Sequence, residues 1–158
     1  QFGGLLKKFS SMSDQEFSEL TKKRPLKAEF YQSFNKNTGF TQDQIFDSLA
    51  VISRTAKRMD EMLDKFGGPW LLGTDYSLAD IAVLPLIDRI EDLGLDGLWV
   101  ERYPSVSKWL NNAQQRTATK KSYFHGSRLS DQFPDLVKGP GSLLDWTNNF
   151  FKARSNKD

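Results

Sequence analysis

Between Gln42 and Phe66 the apolar residues Ile45, Leu49, Ile52, Ala56, Met59, Leu63 and Phe66 follow one another in steps of 4, 3, 4, 3, 4 and 3. A strand needs alternation at every second residue, whereas this rhythm lays one apolar stripe along about seven turns of helix. Such a stripe can serve a cofactor groove or the packing of a helical bundle, and its recurrence elsewhere in the chain favours the bundle. Gly67, Gly68 and Pro69 end the run, glycine supplying a left-handed cap and proline blocking continuation. Alternating runs of strand length are scarce, and no internal repeat or low-complexity tract interrupts the pattern. The chain therefore reads as all-α.

Composition narrows the chemistry. The 158 residues, 38% hydrophobic with 12 Phe, 4 Trp and 4 Tyr, suffice for one ordinary domain with a real core. Cysteine is absent, which excludes disulfide scaffolds, thiolate metal sites and a cysteine nucleophile. A net charge of +2, from scattered basic and acidic residues, gives no nucleic-acid or membrane surface. No apolar run approaches the roughly 20 residues of a membrane span, and the first residues do not have the charged-then-apolar form of a secretory signal.

Upstream of the long helix, Ser13-Asp14-Gln15-Glu16 has the form of a capping box and predicts a short helix reaching about Lys23, since Arg24 precedes Pro25. A further short helix is expected over Leu26 to Phe34, before the polar turn Asn35-Lys36-Asn37-Thr38-Gly39. Phe2, Leu5, Leu6 and Phe9 stand at i, i+3, i+4 and i+7, one helix face, with no capping residue before them and Gln1 opening the chain. That is the expected form of the remainder of a longer helix, and so of a chain that is one piece of a larger protein.

Residues 70–90 carry the most specific signal. Ser77 is placed as an N-cap with Asp80 three residues on, where a carboxylate can bond back to the cap N–H and face the positive helix end. Tyr76 and Ile81 are placed for a hydrophobic staple. Leu78, Ile81, Ala82, Val83, Leu84, Leu86, Ile87 and Ile90 then make a helix apolar nearly all round, expected to lie buried among others, with Pro85 predicting a kink or a lost hydrogen bond.

A well-capped core helix explains this stretch on its own. The wider order is more particular: Trp70-Leu71-Leu72-Gly73, a polar turn, Tyr76-Ser77-Leu78-Ala79-Asp80-Ile81, then Tyr103-Pro104-Ser105-Val106-Ser107-Lys108-Trp109-Leu110. It resembles the C-terminal helical domain of glutathione transferases over residues 1–125, with 126–158 as a loop and helical extension. Met12 to Phe17 and Phe34 to Phe40 further resemble the bacterial β-etherase-type members, which use glutathione to cleave β-aryl ethers.

The resemblance implies an all-α bundle of the transferase C-terminal type and glutathione as cosubstrate, held mainly by a thioredoxin-like N-terminal half. It also implies a hydrophobic, aromatic electrophile, a homodimer at full length and a cytoplasmic location. A thiol near pKa 8.5 needs donors or positive dipoles to ionise at neutral pH. The residue supplying them belongs to that other half, so no catalytic residue is assigned within this chain, and without that half the chain is expected to be inactive. Phe2, Leu5 and Leu6 fall where the family builds its electrophile pocket; they line such a pocket or form an ordinary core or interface face.

Other candidates are weaker. His125, the only histidine, stands where the last family helix should end and suits a structural role at a helix C-terminus. Asp60, Glu61 and Asp64 interleave with Lys57, Arg58 and Lys65 as a solvated face. No metal site is expected, and the glycines have no phosphate-loop spacing. Gly126 to Gly141 reads as surface loop. Ser142 then caps a last helix whose Leu143, Trp146 and Phe150 share a face that packs back on the bundle or closes over the electrophile pocket. Two functions follow: a transferase part, or a non-catalytic helical interaction module of the same fold.

Overall fold

A computed structural model describes residues 3–122 and 128–155, the side chains of 3–5, 28, 32 and 153–155 excepted. Among the described residues there are helices and turns but no strand, and no described helix is long and apolar enough to cross a membrane. The fold is all-α. Two compact units divide it, Gln1–Ser48 and Leu49–Asp158.

The first unit holds α1 (Gly3–Ser10), α2 (Asp14–Lys22), a 3-10 turn (Pro25–Lys27) and α3 (Ala28–Ser33). The expected Leu26–Phe34 helix thus splits at Lys27. The Ser13 capping box is closed: Glu16 N–H donates to Ser13 Oγ at 3.2 Å and Ser13 N–H to Glu16 Oε2 at 2.8 Å. Lys36 binds the same corner, donating to the Met12 carbonyl at 2.8 Å and pairing with Asp14 at 2.6 Å. The core is aromatic. Phe9 meets Phe17, Tyr31 and Phe34 edge-on at 5.3–6.0 Å, an arrangement that suits the ring quadrupoles.

The 25-residue α4 (Gln42–Phe66) carries the 4,3 stripe, along which Leu49, Ala56, Met59 and Leu63 are buried. Phe66 departs from it, 46% exposed beside Lys65. The helix starts on a second capping box, with Thr41 N–H donating to Gln44 Oε1 and Gln44 N–H to Thr41 Oγ1. After it, Gly68 backs so closely onto the Gly73 carbonyl that a Cβ would collide with it. That contact tightens the turn leading into α5 (Leu78–Asp92).

α5 is not buried all round, contrary to expectation. Asp80, Leu84, Ile87, Asp88 and Asp92 are buried, while Leu78, Ile81 and Leu86 are 82%, 52% and 65% exposed. The buried set keeps helical spacing, so one face packs on α6 (Pro104–Gln115) and the opposite face meets solvent. Pro85 does not interrupt the helix. It and Ile81, whose carbonyl it leaves without a backbone donor, both lie on the exposed side, where solvent can supply one.

Beyond α7 (Thr117–Ser122) the expected loop contains α8 (Leu129–Gln132), and the chain ends in α9 (Leu144–Ser155). α9 packs on the 3-10 turn Asp96–Leu98. Its buried residues are Thr147 and Phe150, with Leu143 half-buried, whereas Trp146 is 42% exposed, so the expected Leu143–Trp146–Phe150 face keeps its two ends and has Thr147 in place of the indole. The notch at Gly97 favours this. A Cβ there would collide with Thr147 Oγ1, so the glycine makes room for the threonine.

Candidate functional site

The best-built polar centre is Asp80, fully buried and ringed by donors. The Leu71 N–H and the Trp109 indole N–H donate to Oδ1 at 2.9 and 2.8 Å. The Ser77 N–H and hydroxyl donate to Oδ2 at 2.9 and 2.8 Å. The capping box therefore does more than cap, since one carboxylate ties the 70–73 turn, the start of α5 and the inward-facing tryptophan of α6. Burial alone would push the Asp80 carboxyl up; the bonds from Leu71, Trp109 and Ser77 outweigh it and hold the group below the ordinary carboxylate range. An acid held below the ordinary carboxylate range and engaged by four donors is a scaffold, not an acid–base catalyst. Beside it, Tyr76 meets Trp70 edge-on at 4.8 Å and lies under the Arg116 guanidinium at 3.6 Å. Ile81, its expected staple partner, stays at the surface.

Of the residues placed at an electrophile pocket, Phe2 lies outside the described residues, as does the side chain of Leu5, which falls within α1. Leu6 is half-buried against the Phe9–Tyr31–Phe34 cluster and beside Gly39. His125 also lies outside the described residues. Among those described, no group of His, Cys, Asp or Glu is placed to hold a metal ion.

Two carboxylate positions carry more than sequence spacing indicated. Asp60 and Asp64 do not simply face solvent: Ser105 N–H donates to Asp60 Oδ1 at 3.1 Å and Ser105 Oγ to Asp64 at 3.3 Å. Asp60 thereby caps the first turn of α6 from a different helix, which suits that helix's positive end. Only Glu61 keeps the expected ion pair, with Lys57 at 3.7 Å.

Asp92, 1% exposed, receives the Leu129 N–H at 2.7 Å and the Ser130 N–H at 3.3 Å, together with the Ser130 hydroxyl, Arg89 and Arg128. Burial would raise its pKa; the bonds from Ser130 and Leu129, with the charge of Arg128, bring it below the usual range. Arg128 is held in turn by Asp88 and Glu91. This cluster pins the 128–132 segment to the end of α5. Nothing in local spacing marks it, because its partners lie about 36 residues apart.

Residues 42–112, α4 to most of α6, match the family model described as glutathione S-transferase, C-terminal domain. The chain is similar to glutathione S-transferase A of Pleuronectes platessa, 31% identical over 87 residues that make up 55% of this chain and 37% of that protein. It is also similar to the glutathione S-transferase-like protein OpS6 of Beauveria bassiana, 36% identical over 70 residues, 44% of this chain and 32% of that one. The aligned part thus spans about a third of the length of these curated relatives. No solved structure gives a significant match. Together with the all-α fold, the matches support the glutathione transferase family.

Proposed function

We propose that the chain is the C-terminal helical part of a glutathione transferase that conjugates or cleaves a hydrophobic, aromatic electrophile, with β-aryl ether cleavage as the specific reaction. The observation that carries this reading is the coincidence of the family match over 42–112 with the Asp80 centre, since the matched segment contains Asp80 and all three residues that donate to it. In this reading glutathione is the cosubstrate. A thioredoxin-like half on the N-terminal side binds it and steadies its thiolate, with the donors a thiol needs near neutral pH.

The residues of this chain then have two duties. Asp80, Ser77 and Trp109 fix the helical scaffold. Phe2, Leu5 and Leu6 supply an apolar wall for the electrophile, from which water is excluded so that the thiolate meets it desolvated. The whole protein works in the cytoplasm as a homodimer.

The test joins the chain to the coding sequence upstream of it and assays glutathione conjugation to 1-chloro-2,4-dinitrobenzene and glutathione-dependent release of a phenol from a β-aryl ether. Activity in the longer protein, with neither activity nor glutathione binding in residues 1–158 alone, is the expected result. Conjugation without ether cleavage removes the specific reaction and keeps the general one. An upstream region unrelated to thioredoxin, with no glutathione binding, favours the interaction-module reading instead.

A further inference from the structure

The first unit contains a cleft of about 430 Å³ bounded by Lys8, Phe9, Leu20, Arg24, Lys27 and Phe30, with Leu26, Glu29 and Tyr31 completing its wall. That is within the size range of small-molecule sites, roughly 300–1,000 Å³. Its composition is uneven in a useful way. The floor is the edge of the aromatic cluster: Phe9 and Tyr31 are buried, and Phe30 meets Tyr31 edge-on at 5.3 Å. The rim is cationic, with Lys8, Arg24 and Lys27 exposed against the single carboxylate of Glu29. Among the described residues, none of these three cations has a carboxylate within ion-pair distance. The Tyr31 hydroxyl accepts from Arg24 Nη1 at 3.3 Å, which leaves its own proton available as a donor at the inner end of the rim. Leu26 stands at the mouth with its side chain wholly in solvent.

We propose that this cleft is a binding site for a small aromatic carboxylate, its ring on Phe30, Leu20 and Leu26 and its anionic group between Lys8, Arg24, Lys27 and the Tyr31 hydroxyl. The argument is one of complementarity. An aromatic floor favours a flat apolar body, and an exposed leucine beside it has apolar surface to bury. Three cations with no carboxylate partner among the described residues favour an anion, and the Arg24 guanidinium presents a planar fork that matches a carboxylate. An inorganic anion would leave the floor uncovered, and a neutral arene would leave the cations unused. The proposal makes no use of glutathione or of the second unit, so it stands or falls separately from the transferase reading.

The probes are 2-naphthoate, its uncharged isostere 2-naphthamide, and octanoate, titrated calorimetrically into the 158-residue chain at low salt. Naphthoate should bind roughly tenfold or more tightly than either of the others, the margin expected of charge-assisted bonds on an aromatic floor. Replacing Lys8→Gln and Lys27→Gln together, both exposed, with the fold of the variant checked by circular dichroism, should weaken naphthoate by about three- to tenfold while leaving naphthamide unchanged. Tyr31→Phe should weaken naphthoate alone. The proposal is overturned if naphthoate and naphthamide bind equally, if no probe binds, or if the lysine pair can be removed without changing naphthoate affinity.

Discussion

Replacing Asp80 by alanine strips an acceptor from the Leu71 N–H, the Trp109 indole and the Ser77 pair at once, in a place solvent does not reach. Each buried donor left unmatched costs about 1–3 kcal/mol, so Asp80→Ala should lower stability by at least about 3 kcal/mol. Glu61→Ala, which gives up only an exposed pair with Lys57, should stay within about 0.5 kcal/mol. Denaturant midpoints of the two variants measure the contrast, and equal midpoints would refute it. The same residue predicts an acid limit. Asp80 and Asp92 both have folded pKa values below their unfolded ones. Such groups contribute stability that is complete above the unfolded value, about 3.9, and is lost as pH falls through the folded value. Stability should therefore be flat near neutrality and fall below about pH 4. Asp92→Asn should be less stable than the parent at pH 7 and should show a shallower acid decline, read from urea midpoints across the pH range.

At the scale of elements, what the sequence disclosed and what it withheld divide along physical lines. The α4 stripe, the Ser13 box and the link between Ser77 and Asp80 are local, governed by spacings of three and four residues, and a linear reading reaches them. The Thr41–Gln44 box is equally local, set by the same spacing of three. The solvent-facing side of α5 was not legible, because apolar residues state what can be buried and not what covers them. Nor was the capping of α6 by Asp60, a partner 45 residues away in sequence. The seat of α9 belongs to this second kind, since no periodicity announces that Gly97 makes room for Thr147. It gives a sharp test. Gly97→Ala should cost about 1–3 kcal/mol by overpacking. Adding Thr147→Ala, which frees the space taken by Oγ1, should recover most of that loss. Full additivity of the two losses in thermal unfolding would mean that α9 is not seated on this turn.

For the molecule as a whole, fold class was readable because each long periodic segment pointed the same way, and consistency across segments is the strongest sign of a single architecture. The candidate site was far less so. Its expected residues cluster at the N-terminal end, where Leu6 is half-buried against an aromatic core, while the cationic cleft on the same unit depends on three segments brought together by folding. Residues 128–155 are also integral to their unit. Asp92 grips Leu129 and Ser130, Asp96 accepts the Gly141 N–H at 2.8 Å, and Gly94 and Gly97 receive Ser142 and Thr147 with no room to spare. The family match ends at residue 112, well short of these contacts. A domain boundary drawn from homology would therefore cut through the fold. A product trimmed to that boundary would expose the Leu98 turn and take Leu129, Ser130 and Arg128 from Asp92, leaving it the Arg89 pair, the kind of surface that drives aggregation and attracts chaperones in the cell.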